Sequence, residues 1–211
     1  MVTNLKLLAI LIFIFTATIY ATCNKRLDCF NTIYSFSSSA KAYPSKDSIN
    51  TFDTLWIEIN EPVSLIDSAS GDTVNYNNAE NLGMGITIDE FMGGSINNPG
   101  TIPAANKFHF RIQLGDSIRN PFVERVREFK FLEIQNFYRF KVAIIPQQKG
   151  TYGIAISNAA NVYRKNDKCT KAMFSITLTD TDQHLYFYEY NRPGYIISEY
   201  EKSHLYCVKI K

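Results

Sequence analysis

The sequence contains few of the residues that carry most catalytic and metal chemistry. It has three histidines and four cysteines in 211 residues, and His109, His184 and His204 are scattered along the chain. A serine nucleophile elbow, a two-glycine phosphate loop, a metal-binding His-Glu helix and an EF-hand loop are all absent. No two cysteines have the spacing of zinc ligands. The sequence therefore predicts a non-catalytic protein with no metal site and no cofactor.

An excess of charge of one sign is also missing. The chain has 22 Lys and Arg against 20 Asp and Glu, a formal net charge of +2. Such a balance provides no broad basic surface for nucleic acid or for anionic membranes, so neither partner is expected. Hydrophobic residues make up 45% of the chain, which is enough for a buried core and excludes a disordered tail.

Residues 1–21 have the layout of a signal peptide. Lys6 precedes an apolar run, and small, neutral residues follow up to Ala21. The uncharged stretch 7–21 would be about 22 Å long as a helix, shorter than the roughly 30 Å core of a bilayer. We therefore expect residues 1–21 to be removed on export, residues 22–29 to form a short tether and residues 30–211 to form one domain.

The four cysteines allow two interpretations of the mature N-terminus. Cleavage after Ala21 would leave four thiols, which allow two disulfides. Alternatively, Cys23 carries a lipid, as in bacterial lipoproteins, and would then be the only link of this protein to a membrane. In either case we predict a Cys29–Cys169 disulfide. It would close a loop of about 140 residues and stabilise the fold by roughly 4–5 kcal/mol in the chain-entropy model.

Short apolar alternations separated by turn residues fill the chain after Cys29. In the clearest one, residues 137–145, the residues on one face are Tyr138, Phe140, Val142 and Ile144. The other predicted strands are residues 32–37, 55–59, 63–67, 73–76, 85–88, 108–114, 128–134, 152–157, 172–179 and 205–210. The longest stretch without a strand pattern is 93–106, which we expect to be a mobile loop. This spacing predicts a mainly β fold, a single antiparallel β-sandwich, immunoglobulin-like, with at most one or two short helices.

The most aromatic segment is residues 184–190, with the sequence HLYFYEY. If it is extended, Tyr186, Tyr188 and Tyr190 project from one face as a ladder that would stack on sugar rings or a peptide. If it is helical, with Asp180 or Asp182 as the cap, the same tyrosines cover the sheet. The capping acids favour the helix, and the three tyrosines are the candidate ligand-binding residues.

Other chemistry-bearing residues have simpler interpretations. Trp56 lies on the face of its strand opposite Leu55 and Ile57, and a single strand tryptophan is usually core or inter-sheet filler. The neighbouring acids Asp89 and Glu90, like Glu58 and Glu61, would serve a glycosidase only if the fold placed a pair across a cleft. Surface positions are the default for such acids.

In its overall layout, a signal segment with Cys23 followed by a β domain, the chain resembles uncharacterised exported lipoproteins of Gram-negative bacteria. The resemblance implies a periplasmic, outer-membrane-associated or secreted protein. We expect an envelope or surface protein without catalytic activity that binds a protein or glycan partner. The alternatives are a structural or assembly lipoprotein with no small ligand, and a hydrolase with carboxylates from different strands.

Overall fold

Strands make up most of the chain that the structure describes. The structure is a computed structural model, and it describes residues 32–93, 100–118, 125–192, 194 and 196–211. The strands are β1 (Thr32–Tyr43), β2 (Ser48–Ile49), β3 (Leu55–Pro62), β4 (Ser64–Ile66), β5 (Thr73–Asn75), β6 (Ala79–Glu80), β7 (Gly83–Phe91), β8 (Thr101–Pro103), β9 (Phe108–Leu114), β10 (Asp116–Ile118), β11 (Val126–Lys130), β12 (Leu132–Ile134), β13 (Phe137–Pro146), β14 (Gly150–Ile156), β15 (Ala159–Arg164), β16 (Asp167–Leu178) and β17 (Leu205–Ile210). The two α-helices are α1 (Tyr186–Asn191) and α2 (Glu199–His204). The predicted mainly β class with one or two short helices is confirmed for the described residues.

Two large sheets and one small hairpin contain these strands. The eight-stranded sheet has the order β12-β13-β3-β1-β16-β15-β6, and β9 pairs with β13 beside β12. The seven-stranded sheet has the order β10-β11-β7-β14-β17-β2, and β8 pairs with β7. Strands β4 and β5, which fall within the predicted strands 63–67 and 73–76, pair antiparallel as a hairpin.

The inward faces of both large sheets contribute to one hydrophobic cluster. On β13 the side chains predicted to share a face are all at most 3% exposed, namely Tyr138, Phe140, Val142 and Ile144. Phe129, on β11 of the other sheet, packs 5.3 Å from the Phe140 ring. Each large side chain buried in this way stabilises the fold by roughly 1.5–3 kcal/mol. The core therefore consists largely of the residues that the alternation within strands places on inward faces.

Buried tyrosines satisfy their hydroxyl groups on backbone carbonyls. Tyr76 donates to the carbonyl of Val162 at 2.8 Å, and Tyr206 donates to that of Lys46 at 3.0 Å. Burial raises the pKa of Tyr76 and of Tyr206 to about 12, because the phenolate would lose its hydration. These tyrosines are therefore neutral hydrogen-bond donors that tie loops to the core.

The expectation of a purely antiparallel sandwich is wrong. Strand β2 lies parallel to β17, with Ser48 opposite Lys209 and Ile49 opposite Ile210. The seven-stranded sheet is therefore mixed. The parallel pairing follows from a long-range contact, since the Tyr206 hydroxyl on β17 holds the segment just before β2 at Lys46.

Residues 128–134, predicted as one strand, divide between the two sheets. Strand β11 pairs with β7 in the seven-stranded sheet, whereas β12 pairs with β13 in the eight-stranded sheet. The break falls at Phe131, which is 5% exposed and whose N–H donates to the Leu82 carbonyl at 3.0 Å. Phe131 thus anchors the crossing in the core, which a period-two pattern does not reveal.

The segment 93–106 contains structure that its sequence pattern does not predict. Strand β8 pairs with β7, and a 3-10 turn follows at Ala105–Lys107. Ala104 and Ala105 are fully buried. Residues 94–99 lie outside the described residues, and the rest of the predicted loop belongs to the fold.

Candidate functional site

Two short helices cover the outer face of the seven-stranded sheet. We call α1, α2 and Ile197 the cap. Its buried side chains pack on residues that point outward from the sheet, forming a second hydrophobic cluster whose fully buried members are Phe91, Tyr188, Ile197, Leu205 and Cys207. The sheet admits the cap because Gly153 and Ala155 are small at the contact. The cap therefore buries the outward-facing Leu205 and Cys207 of β17, whereas Lys209 of the same strand stays exposed.

The three candidate tyrosines all lie on helix α1 of the cap and differ in exposure. Tyr188 is 4% exposed, packs edge-on at 5.8 Å against Phe91 and donates its hydroxyl to Glu201 at 2.7 Å. Tyr186 and Tyr190 lie one helical turn apart and are 50% and 85% exposed. The extended ladder is wrong and the segment is helical, but of the three tyrosines Tyr188 alone covers the sheet. Tyr188 stabilises the cap, while a ligand role for Tyr186 and Tyr190 stays a prediction.

The helix start also differs from the predicted one. Helix α1 begins after Leu185, which makes no side-chain capping bond, so the capping roles predicted for Asp180 and Asp182 are wrong. Asp180 instead forms an exposed ion pair with Lys41 at 3.1 Å, and Asp182 accepts the His184 N–H at 3.1 Å.

Helix α2 has a capping box that the sequence analysis missed. The Ser198 side chain accepts the Glu201 N–H at 3.2 Å, and the Glu201 carboxylate accepts the Ser198 N–H at 3.0 Å. The signal was present in the sequence, because a serine followed three residues later by glutamate is typical of a helix start.

A cleft of about 210 Å³ lies where the cap meets the sheet. Arg125 binds both carboxylate oxygens of Asp89, with Nε to Oδ1 at 2.8 Å, and this hydrogen bonding raises the pKa of Arg125. Across the cleft, Glu201 is held by Ser198 and Tyr188. The charged groups of this cleft are therefore largely satisfied by one another.

His204 lies in the wall of the same cleft and is 3% exposed. Its Nδ1 lies 2.7 Å from the Tyr200 carbonyl, and its Nε2 lies 2.9 Å from Oδ1 of Asn158. Burial lowers the pKa of His204 and outweighs the opposite effect of the Tyr200 carbonyl. The hydrogen bonds indicate a structural role that joins α2 to the start of β15.

The free thiol near His204 is inert. Cys207 is fully buried, and burial raises its pKa to about 12, so it is protonated at neutral pH. Cys207 is the free cysteine of the described residues, whereas Cys169 is disulfide-bonded, and no disulfide joins these two. The predicted partner Cys29 lies outside the described residues, so the Cys29–Cys169 pairing stays a prediction.

The two acidic pairs differ in arrangement, because Glu58 and Glu61 line one pocket of about 340 Å³, whereas Asp89 and Glu90 lie on opposite faces of β7. Asp89 points to the outer face of β7, whereas Glu90 points inward and pairs with Lys107 at 2.6 Å. Glu61 accepts the Ser39 N–H at 2.6 Å, and Glu58 has a separate set of partners. Within the described ranges, no three acidic, histidine or cysteine side chains form a group that would hold a metal ion.

Tyr43, Glu58 and Lys141 form a hydrogen-bonded cluster on the outer face of the eight-stranded sheet. The Tyr43 hydroxyl donates to Glu58 at 2.5 Å, and the Lys141 ammonium lies 3.1 Å from the same carboxylate. Burial acts to raise the pKa of Glu58, but the hydrogen bonds from Tyr43 and Lys141 outweigh it and lower the pKa. Lys141 also lies 5.1 Å from the centre of the Trp56 ring.

Trp56 forms one wall of an open groove on this face. Ala143 of β13 lies opposite Trp56 of β3 on one side and opposite Arg111 of β9 on the other. The three side chains therefore form one row across three neighbouring strands, with the smallest in the middle. Since strands are about 4.8 Å apart, the backbones of Trp56 and Arg111 are separated by about 10 Å.

This Trp56 groove has a volume of about 320 Å³. It is lined by Thr54, Trp56, Arg111, Ile112, Gln113, Ala143 and Ile145. Ala143 is 2% exposed yet lies outside the main hydrophobic cluster, as expected for a floor covered by its larger neighbours. The groove combines an indole wall and an apolar floor with a few polar side chains, a composition typical of small-ligand sites.

The expectation that Trp56 fills the core or the space between sheets is therefore wrong. Its alternation with Leu55 and Ile57 correctly placed it on the other face, and none of the described elements forms a second layer over that face at the groove. Arg111 carried no site signal in the sequence, because only the pairing of β9 with β13 brings it across from Trp56. His109 is exposed on the same face of β9.

Several predicted features fall in the N-terminal segment. The signal peptide 1–21, the tether 22–29 and the lipidation candidate Cys23 lie outside the described residues. Among the described helices, none is long and apolar enough to cross a membrane. Comparison with protein families, with curated proteins and with solved structures finds no match to this chain.

Proposed function

We propose that this protein is an exported, non-catalytic glycan-binding protein and that the Trp56 groove is its binding site. The row Trp56, Ala143, Arg111 on an uncovered sheet face carries the proposal. An indole offers a large apolar face on which a sugar ring stacks, and Thr54 and Gln113 supply hydrogen-bonding groups beside it. A volume of about 320 Å³ is at the lower end of ligand sites and suits one or two sugar rings.

The position of the groove favours a glycan over a peptide. Its floor is β13, whose backbone is already paired with β3 on one side and with β9 on the other at this level. Peptides that bind sheets commonly add a strand at an exposed edge, where backbone groups are unpaired. A sugar needs only side chains, which a rigid sheet holds in place.

The cap cleft supports catalysis less well. Asp89 and Glu201 both line it, and they give the hydrolase alternative a second pair of carboxylates besides Glu58 and Glu61. Asp89 is held by Arg125, and Glu201 is held by Ser198 and Tyr188. Both carboxylates are therefore engaged in hydrogen bonds within the protein. A general acid requires a raised pKa, and the hydrogen bonds from Tyr43 and Lys141 lower the pKa of Glu58.

The remaining parts of the proposal concern layout and location. The shared core of the two sheets supports an immunoglobulin-like sandwich arrangement, with β2 as a parallel addition. Export follows from residues 1–21, and the exported chain either begins at residue 22 or carries a lipid on Cys23. Mass spectrometry of the mature protein from its host tests this part. We expect an N-terminus at residue 22 or an acylated Cys23, and an unprocessed N-terminus would contradict export.

The binding proposal is tested on a glycan array, followed by titration of the strongest hit. Trp56 is the one tryptophan of the chain, so its fluorescence reports directly on the groove. We expect the hit to change this fluorescence, and Trp56→Ala to weaken binding on the array by at least about tenfold, since the stacking surface is lost.

The matched control is Tyr190→Ala, which removes an aromatic ring that is 85% exposed on the cap. It should bind like the wild type. If Tyr186→Ala or Tyr190→Ala abolishes binding while Trp56→Ala does not, the site lies on the cap. If no glycan binds the wild type, the structural or assembly alternative is preferred. Far-UV circular dichroism of each variant confirms that it is folded.

A further inference from the structure

The charged lining of the Trp56 groove is of one sign, which is positive. Its lining contains one cation, Arg111, and no carboxylate. Arg111 is exposed, and it takes part in no ion pair found among the described residues. The nearest acid on β3, Glu58, is bound to Tyr43 and Lys141. Among the described residues, no carboxylate therefore balances the charge of Arg111 in the groove.

We propose that the groove binds an acidic sugar, a uronic acid residue of a glycan, with its ring on Trp56 and its carboxylate on Arg111. The inference rests on the proposed glycan-binding function and names the class of its ligand. Guanidinium and carboxylate match in a planar, two-bond arrangement that a neutral sugar hydroxyl does not offer.

The geometry fits one ring between the two walls. The backbones of Trp56 and Arg111 are about 10 Å apart, and both side chains occupy part of that space. Lys141 precedes Ala143 along β13 and lies against the indole, so the sugar enters on the side of Ile145. Gln113 follows Arg111 on the same face of β9 and supplies amide groups for the ring hydroxyls.

The experiment compares two probes that differ only in charge. Oligogalacturonate and its fully methyl-esterified form have the same rings, but the ester lacks the carboxylates. Binding is followed by Trp56 fluorescence at low salt. We expect the acid to bind at least about fivefold more tightly than the ester, and the difference to shrink at high salt, because Arg111 is exposed to solvent.

The decisive variant is Arg111→Gln, which keeps a polar side chain and removes the charge. It should bind acid and ester equally, whereas Arg111→Lys should retain part of the preference. The control is Lys209→Gln, which removes an exposed cation from β17 of the other sheet and should change nothing. If Lys209→Gln lowers acid binding as much as Arg111→Gln does, the preference is non-specific attraction and the inference fails.

Failure of the inference and failure of the proposed function give different results. If neutral glycans bind as well as the acid and Arg111→Gln has no effect, the carboxylate assignment is wrong, but a dependence on Trp56 keeps the function. If neither these probes nor any array glycan binds in a Trp56-dependent way, the proposed function fails together with the inference.

Discussion

The contact between the cap and the seven-stranded sheet depends on the absence of a side chain at position 153. A Cβ added at Gly153 would lie 2.8 Å from Cζ of Phe91 and 3.2 Å from Cδ1 of Leu205. Phe91 cannot easily move away, because its ring is 8% exposed and packs edge-on against Tyr188 of the cap. An alanine at position 153 should therefore push Phe91 toward Tyr188 and strain the contact between the sheet and the cap.

Two effects of opposite sign determine the change in stability. Overpacking a buried contact destabilises by about 1–3 kcal/mol. Replacing glycine by alanine also restricts the unfolded chain, which stabilises by about 0.4–1 kcal/mol. The net loss in free energy of unfolding for Gly153→Ala should be about 1–2 kcal/mol. In a domain of this size this corresponds to a fall in Tm of roughly 2–8 °C.

Gly85→Ala is the matched control, on the same outer face but on β7. A Cβ there would lie 3.2 Å from the Ser157 hydroxyl oxygen and from a Val126 methyl group, a milder overlap than the 2.8 Å contact at position 153. We expect a change within about 0.5 kcal/mol for this variant. Urea unfolding of both variants, followed by circular dichroism, gives the two free energies.

A double variant separates steric overlap from other causes. Phe91→Leu shortens the side chain that opposes position 153, so the loss from Gly153→Ala should be smaller in its presence, with a coupling of at least about 0.5 kcal/mol. If Gly153→Ala is no less stable than Gly85→Ala, or if its effect is simply additive with that of Phe91→Leu, the close contact of cap and sheet is refuted.

Two further predictions concern titratable groups away from the groove. Lys107→Met should lower the free energy of unfolding in urea by about 2–4 kcal/mol, because the Glu90 carboxylate, whose side chain is 11% exposed, loses its partner. The Lys107→Met, Glu90→Gln double variant should recover part of this loss. An equal or larger loss in the double variant would argue against the ion pair. Burial lowers the pKa of His204 from its ordinary 6.5, so the unfolded chain binds the proton more readily than the folded chain does. The stability that neutral His204 contributes is therefore complete above about pH 6.5, and it is lost as the pH falls through the folded-state pKa. His204→Gln should therefore show a shallower loss of stability between about pH 7 and pH 5 than the wild type, and parallel curves would contradict the assignment.

The strand faces could be predicted because their signal is local. In residues 137–145 the period of two follows from the pleat of a strand, so Tyr138 and Phe140 point the same way whatever strands lie beside them. The same reasoning placed Trp56 opposite Leu55. What covers a face is not a local property, and the groove arises because β9, distant in sequence, pairs with β13 and brings Arg111 across from Trp56.

For the aromatic segment 184–190, by contrast, the local pattern was compatible with both a strand and a helix. Tyr186, Tyr188 and Tyr190 share a face in a strand but not in a helix, and the helix prevails because Tyr188 packs on Phe91 over the small residue Gly153. The capping box of Ser198 and Glu201 could be predicted from the sequence. The sheet surface on which the cap packs could not be predicted, because it belongs to β7 and β14, which are distant in sequence.

The amino-acid sequence alone determined the mainly β class, the inward faces of the longest strands and the scarcity of catalytic residues. Alternation and composition act over a few neighbouring residues, and they survive any arrangement of the sheets. Only the tertiary structure decided that residues 128–134 cross between sheets at Phe131, that β2 runs parallel to β17, and that Trp56 meets Arg111. These features depend on contacts between segments far apart in the chain, and the candidate binding site consists of such contacts.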